Sequence, residues 1–213
     1  HTDWLEYVER TTPADRDERD RVRRILRMLY RQFDGIFVLN REHKAWLSSH
    51  EMGIPPERVF LTAHHALPPP PGVAPIAKQA LFADATEATP VLFVAGRLSR
   101  EKGCDDIVDV FRRARTALPD LRLVIAGTGP EEEALRQALP EACFLGWVSQ
   151  QELAACYQGL DLFLFPSRFD TFGNVLLEAF SNGMPAVSYN CKGPADLILD
   201  GECGYLVSSP GEM

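Results

Sequence analysis

The sequence predicts an α/β fold with a doubly wound parallel sheet, accompanied by part of a second domain of the same kind. In the second half of the chain, short continuous apolar segments such as VLFVA, LRLVIA and LFLF recur. Longer amphipathic segments separate them, and loops that contain glycine or proline lie at the junctions. Parallel strands covered by helices on both faces have continuous apolar sequences and need helical crossovers, which accounts for this alternation.

The chain ahead of a proline cluster predicts two helices and two strands. Apolar residues at helical spacing predict a helix from Asp15 to Tyr30. A strand over residues 35–40, a helix over 41–53 closed by Gly53, and a strand over 58–64 follow. The arginines of the first helix suit either an anionic membrane surface or a solvated face of salt bridges. Alternating acidic residues at its start favour the solvated face.

Four consecutive prolines, Pro68–Pro71, and the glycine after them form the clearest break in the chain. Such a run favours an extended spacer and cannot lie inside regular structure. We therefore predict part of a domain over residues 1–71, a linker over 72–89 and the main domain over 90–213.

Strands and helices alternate in the main domain. Pro130, just before three glutamates, suits a helix N-terminus, and Ser149 with Glu152 predicts a capping box. Ligands of such sheets bind beyond the C-terminal strand ends, so the loops there are the candidate site. Strands are predicted over 91–96, 121–127, 143–148, 161–166, 185–190 and 204–207, and helices over 103–118, 130–139, 149–160, after Gly173, and as a short turn after Asn190.

Composition disfavours several function classes. A net charge of −8 disfavours nucleic acid as a partner, since surfaces that bind it are basic. Five widely spaced cysteines without a Cys-x-x-Cys pair fit reduced thiols better than disulfides or a zinc site. No apolar run reaches the length of a membrane span, and no secretory signal is visible. The chain begins at His1 rather than methionine, so we expect a fragment of a longer protein.

The strand-end loops offer cations rather than a familiar catalytic motif. They contain no Gly-x-Gly-x-x-Gly after the first strand, no P-loop and no Gly-x-Ser-x-Gly elbow, which disfavours nicotinamide, P-loop and serine-hydrolase chemistry. Arg97 follows the first strand of the main domain, and Lys102 precedes the next helix. The two could clamp a doubly charged anion beside a helix N-terminus. From this stretch alone, two ordinary surface cations are the favoured interpretation.

A carboxylate inside an apolar helix is a second candidate. Glu178 lies within NVLLEAF, so we expect it to be enclosed and to need hydrogen-bond donors. Ribose hydroxyls or an arginine would serve equally well. Gly173 and Asn174, just before it, either let an anion approach the free amides of the helix or only cap it.

Three further loop positions have two interpretations each. Asp170 either faces a ligand or, more commonly for a lone Asp, caps the turn that follows it. Trp147 could stack on a base, although a place in the core or at its rim is favoured. The segment Lys192–Pro194 is expected to form an ordinary surface turn.

Five segments occur in a fixed order: GRLSREKG, IAGTGPEEEAL, FLGWVSQQEL, LFPSRFDTFGNVLLEAFSNGMPAVS and GECGYLV. Together they resemble the C-terminal, donor-binding domain of the retaining two-Rossmann (GT-B) glycosyltransferases of group one. The resemblance covers the chain from Pro90 onward and implies a Rossmann-like sheet. HTDW, at the start, and GIPPERV resemble the last third of that family's N-terminal domain. HHALPPPPG stands where the family usually has an Asn-Gly-Val-Asp-like turn.

The resemblance implies roles for individual residues. Arg97 and Lys102 would neutralise the donor diphosphate, and Glu178 would hold the ribose hydroxyls. Asp170 corresponds to the first acid of the family's Glu-x7-Glu motif, which contacts the transferred sugar and is usually glutamate. The catalytic residues implied are Asp170, Arg97, Lys102 and His1, with no metal. The donor-binding residues implied are Gly96, Arg97, Lys102, Gly127, Gly146, Trp147, Val148, Thr171, Phe172, Gly173, Asn174, Val175 and Glu178.

The activity implied is transfer of a sugar from GDP-mannose or a UDP-sugar to a hydroxyl of a glycan or lipid acceptor, with retention of configuration. No cofactor and no nucleic acid are expected. The location expected is cytoplasmic, with peripheral contact to the inner membrane face through the part of the family's N-terminal domain that is missing here. For the isolated chain we expect donor binding with little or no transfer. A non-catalytic nucleotide-sugar-binding module, and an epimerase or phosphorylase of the same architecture, are the alternatives.

Overall fold

A computed structural model of the protein describes residues 16–66 and 68–213. The chain divides into two compact units, one extending to His64 and the other covering His65–Met213. Among the described residues, no helix combines the length and the apolar character needed to cross a membrane.

The first unit pairs two short parallel strands beside two helices. Its elements are α1 (Arg16–Tyr30), β1 (Ile36–Val38), α2 (Arg41–Ser48), a 3-10 turn (Pro56–Arg58) and β2 (Val59–Leu61). The Asn40 side chain starts α2 by accepting a hydrogen bond from the His43 N–H at 2.7 Å. The helix predicted over 41–53 ends at Ser48 instead. Gly53, with φ of 60°, closes the next turn, and its N–H donates to the Ser49 carbonyl at 2.7 Å.

The second unit alternates strands and helices as the sequence predicts, with bounds that mostly differ by one or two residues. Its elements are α3 (Lys78–Leu81), β3 (Val91–Ala95), a 3-10 turn (Arg100–Lys102), α4 (Cys104–Ala117), β4 (Arg122–Ala126), α5 (Glu132–Ala138), β5 (Cys143–Gly146), α6 (Gln150–Gly159), β6 (Leu162–Phe165), α7 (Asn174–Ser181), β7 (Ala186–Tyr189), α8 (Lys192–Leu197) and β8 (Gly204–Val207).

All six strands of this unit are parallel, in the order β5-β4-β3-β6-β7-β8. The chain therefore winds outward from β3 to one edge, returns to the centre at β6, and winds to the other edge. One apolar core includes Ile107 and Phe111 of α4, and the other includes Tyr157 of α6 and Leu176 of α7. The sheet is covered by helices on both faces, which confirms the doubly wound α/β prediction.

Of two predicted helix starts, one forms as predicted and one begins slightly later in the chain. Ser149 and Glu152 form the predicted capping box at the start of α6. Pro130 lies ahead of the N-cap of α5, which is Glu131, so the proline precedes the helix rather than opening it. All five cysteines are free thiols.

Residues 76–89, within the predicted linker range of 72–89, belong to the second unit, and Ile76, Leu81 and Phe82 pack against its core. The Ile76 N–H donates to the Ala155 carbonyl at 2.9 Å. Lys78 is buried, and its Nζ donates to the carbonyls of Glu87 and Thr89 and to Asp161 at 2.8–2.9 Å. This part of the range carries α3 and is bonded to the sheet domain.

Candidate functional site

A cavity of about 250 Å³ lies where β3 and β6 end. This is the point at which the strand order reverses, and loops diverging in opposite directions leave a crevice there. Its apolar floor includes Ala95 of β3 and Phe165 of β6. Six of its lining residues are predicted site residues: Gly96, Arg97, Lys102, Asp170, Asn174 and Val175.

Three of the predicted glycines bring the strand-end loops together. Gly127, with φ of 127°, lies so close to the β3 loop that a Cβ there would be 1.9 Å from the Gly96 carbonyl oxygen. Its N–H donates to the Gly146 carbonyl at 2.6 Å. The loops after β3, β4 and β5 are therefore in backbone contact.

An ion pair joins the two halves of the sheet at the cavity. Lys102 Nζ lies 2.5 Å from Asp170 Oδ2. Gly103, with φ of 79°, makes this approach feasible, because a Cβ there would be 2.3 Å from the Pro166 carbonyl oxygen. The other carboxylate oxygen of Asp170 accepts from the Gly173 N–H at 3.2 Å. Asp170 thus caps the turn, at Gly173, and also faces the cavity.

Arg97 is exposed at the rim of the same cavity. Within residues 16–66 and 68–213 it forms no ion pair, in contrast to Lys102. The interpretation as two unrelated surface cations does not describe the structure, since both line one crevice.

Helix α7 begins at this crevice. Gly173 precedes it with φ of 90°, a conformation that favours glycine, and Asn174 and Val175 of its first turn line the cavity. The first N–H groups of a helix have no partner within the helix and favour an anion. Thr171 is half-buried, while Phe172 is buried.

Glu178 lies one turn beyond Asn174 on α7 and does not line the cavity itself. Its Oε2 is buried and has no hydrogen-bond partner in the described part of the chain. Burial raises the pKa of this carboxyl above its usual 4.5. An arginine partner is one of the two expectations, and no arginine in the described part of the chain forms an ion pair with Glu178. The carboxylate retains the capacity to accept hydrogen bonds from a ligand.

The loop after β5 contradicts one expectation. Trp147 is 79% exposed, so it belongs neither to the core nor to its rim. Gly146, with φ of 68°, turns the chain at the strand end, and the next side chain points to solvent. Val148 packs against the core instead.

The segment Lys192–Pro194 is not the surface turn that the sequence predicts. All three residues are buried at the start of α8. The reason is a close contact that only glycine permits, since a Cβ on Gly193 would be 2.2 Å from the Phe172 carbonyl oxygen.

Sequence reasoning missed some site residues. Cys104 lines the cavity, and burial raises its pKa to about 11, so the thiol is neutral. The Tyr189 hydroxyl donates to Asp106 at 2.6 Å, and the Arg168 guanidinium stacks on the Tyr189 ring at 3.5 Å. These contacts hold the loop that carries Asp170. No local sequence motif predicts these contacts, because they join three segments that are distant in the chain.

His1 lies outside the described residues. In the ranges 16–66 and 68–213, no cluster of three or more His, Cys, Asp or Glu side chains is arranged to hold a metal ion.

The second unit is similar to known proteins. Residues 89–213 match the family described as "Glycosyl transferases group 1". A GDP-mannose-dependent alpha-mannosyltransferase of Corynebacterium glutamicum is 37% identical over 124 residues, which are 58% of this chain and 29% of the relative. A 2-deoxystreptamine N-acetyl-D-glucosaminyltransferase of Niallia circulans is 33% identical over 129 residues, 58% of this chain and 33% of the relative. The chain thus spans about a third of these relatives.

Solved structures show the same fold. Anabaena HepE in complex with UDP and glucose superposes with a TM-score of 0.68 at 20% identity, covering 90% of this chain and 54% of that one. A pneumococcal O-GlcNAc transferase in complex with UDP and GlcNAc gives 0.66 at 21% identity, covering 86% of this chain and 35% of the other.

Proposed function

Because the chain belongs to the group 1 glycosyl transferases, we propose that it binds a nucleotide-diphosphate sugar whose sugar is transferred to an acceptor hydroxyl with retention of configuration. One observation carries this proposal. Arg97, Lys102 and the first turn of α7 surround a single cavity at the switch point of the sheet. Two cations and a helix N-terminus suit a diphosphate.

We propose GDP-mannose or a UDP-sugar as the donor. The Corynebacterium relative is named as GDP-mannose-dependent, and the two superposed structures contain UDP. Glu178 would accept hydrogen bonds from both ribose hydroxyls, which supplies the donors that its buried Oε2 lacks in the described chain. The Gly146–Val148 loop would contact the base, mainly through its backbone.

The proposed chemistry follows from where charge develops. As the bond between the sugar and the diphosphate breaks, negative charge accumulates on the leaving phosphate. Arg97, Lys102 and the α7 amides would stabilise that charge, so these groups could perform the role that a metal ion plays elsewhere. The acceptor hydroxyl would attack the face that the diphosphate leaves, and the leaving phosphate would take its proton. Asp170 would face the transferred sugar.

The acceptor side of the reaction is also a proposal. We propose a glycan or lipid acceptor, a cytoplasmic location and peripheral contact with the membrane. Since the chain spans about a third of its relatives, we expect it to bind donor and to transfer little sugar by itself. Rapid transfer by this chain would contradict that expectation.

Isothermal titration of the chain with GDP, UDP, ADP and NAD tests donor binding. We expect GDP or UDP to bind. A bound nucleotide at 100 times its Kd should also raise the free energy of unfolding by about 2.7 kcal/mol. Lys102→Met should weaken binding roughly tenfold, because a charge-assisted hydrogen bond to phosphate is lost.

The matched control is Arg113→Met, which removes an exposed cation of α4 that pairs with Asp109. Its nucleotide affinity should equal that of the unmodified chain. Binding of NAD alone, or equal loss in both variants, would refute the proposed site.

A further inference from the structure

The Asp170 carboxylate accepts hydrogen bonds from two donors that a diphosphate would need, Lys102 Nζ and the Gly173 N–H. Its Oδ2 accepts from Lys102 Nζ at 2.5 Å, and its Oδ1 accepts from the Gly173 N–H at 3.2 Å. One carboxylate therefore bridges a lysine and the amide just before α7, in the way that two oxygens of a phosphate could. We propose that Asp170 is an internal competitor of the donor diphosphate, which must displace it from Lys102. This inference rests on the proposed function.

The pair is held in place by backbone contacts on both sides. The Asp170 carbonyl accepts from the Gly193 N–H at 3.3 Å, which anchors the acid to the start of α8. Gly103, next to Lys102, lies against the Pro166 backbone. These backbone contacts position both residues, so the ion pair is a fixed part of the cavity wall.

The surroundings make this competition significant. The side chains of Lys102 and Asp170 are 36% and 19% exposed, so solvent and salt screen their attraction less than that of a surface pair. Arg97, at the same cavity, has no such carboxylate partner among the described residues. The two cations are therefore unequal: Arg97 can meet an incoming diphosphate directly, and Lys102 does so only after it separates from Asp170.

Displacement has a consequence for the sugar. Once Lys102 turns to the phosphate, the Asp170 carboxylate is released at the cavity wall with Oδ1 still bonded to Gly173. Binding of the diphosphate would then make this carboxylate available to hydroxyls of the attached sugar. A donor lacking its diphosphate would leave the acid paired with lysine.

The test measures the affinity of the chain for inorganic pyrophosphate and for GDP and UDP, by titration calorimetry at low salt. Asp170→Asn keeps an oxygen for the Gly173 amide and removes the charge that pairs with Lys102. We expect it to bind pyrophosphate roughly fivefold more tightly, the range of a modest ion pair. A residue that only contacts the sugar would leave pyrophosphate affinity unchanged, and a residue that only caps the helix would not raise it.

Three further variants isolate the effect. In a Lys102→Met background, Asp170→Asn should change pyrophosphate affinity little, because the contested cation is gone. Asp109→Asn removes an acid of α4 that pairs with exposed Arg113, and should leave affinity unchanged. If melting curves show that Asp170→Asn does not fold, Asp170→Ser replaces it, because the serine hydroxyl can also accept from the Gly173 N–H.

The outcomes separate the two proposals. If the unmodified chain binds GDP or UDP while the uncharged variants bind pyrophosphate no more tightly, Asp170 is not a competitor and the proposed function stands. An equal gain in Asp109→Asn also overturns the competitor, since general charge would explain it. If no folded variant binds a nucleoside diphosphate, the proposed function fails and this inference with it.

Discussion

Glu178 shows how one buried atom links stability to binding. Its Oε2 is buried with no hydrogen-bond partner in the described chain, and burial raises its pKa. A carboxyl with a raised pKa in the folded state favours folding most when it is protonated. Its contribution is fully present below its usual pKa of 4.5 and is lost as the pH rises through the higher folded value. Deprotonation of this buried carboxyl therefore opposes folding.

Glu178→Gln should accordingly raise the melting temperature at pH 7, and the difference should vanish below about pH 4.5. The same variant should bind GDP or UDP roughly tenfold more weakly, since a neutral amide is a poorer acceptor for ribose hydroxyls. Melting curves across pH and titration calorimetry measure the two effects.

Glu152 provides a control with the opposite sign. The backbone and side chain of Ser149 lower its pKa by hydrogen bonding, so its contribution is present above 4.5 and lost as the pH falls through its lower folded value. Glu152→Gln should lower the melting temperature at pH 7 and leave nucleotide affinity unchanged. If Glu178→Gln keeps full nucleotide affinity, Glu178 has a structural role only.

Among the elements, α3 was not foreseen, because four residues give no periodic pattern. Its stability comes from Lys78, which is buried and donates to the carbonyls of Glu87 and Thr89 and to Asp161. Asp161 also accepts from the Val91 N–H at 2.8 Å, which ties the pair to the start of β3. A lysine within IAKQAL looks like a solvated residue when only its neighbours are considered.

Lys78→Met should destabilise the chain by about 2–3 kcal/mol, because two carbonyls and a carboxylate lose their donor while the apolar stem remains. Asp161 is half exposed, which keeps the loss at the lower end of that for buried pairs. Urea denaturation measures the change in the free energy of unfolding.

Arg113→Met, which breaks the exposed pair with Asp109, is the comparison for this change. It should alter the free energy of unfolding by no more than about 0.5 kcal/mol. Equal losses in both variants would show that the Lys78 pair does not anchor the segment.

For the whole molecule, the two units differ from the predicted domains in where the chain changes unit. The sequence predicts a linker over 72–89, and the structure divides the chain at His64 and His65. Residues 76–89 belong to the second unit and are bonded to its sheet domain through Ile76 and Lys78. A fragment that keeps them should therefore be more stable than one cut at the predicted domain start.

We expect residues 65–213 to unfold cooperatively and to bind nucleoside diphosphate as tightly as the whole described chain. Residues 90–213 should melt roughly 10 °C lower, since they lack Lys78 and its contacts. Calorimetry of the two fragments compares them. Equal melting temperatures would mean that residues 65–89 behave as a linker.

The periodic features of this protein were predictable from the sequence. The six strands and most helices of the main domain lie where apolar runs and amphipathic segments predict, and the Ser149 capping box forms as expected. Errors occurred where a local signal had two meanings. Gly53 closes a turn rather than a helix. The segment Lys192–Pro194 is buried because Gly193, which has no Cβ, packs directly against the backbone of Phe172 in a distant loop.

By itself, the sequence determined the alternation of strands and helices and the residues that the strand-end loops carry, because these depend on neighbours a few positions apart. Only the tertiary structure decided which of them meet. Lys102 and Asp170 are 68 positions apart, and Lys78 and Asp161 are 83 apart. Their pairing follows from β6 lying beside β3, an order set by the packing of the whole sheet rather than by any one segment.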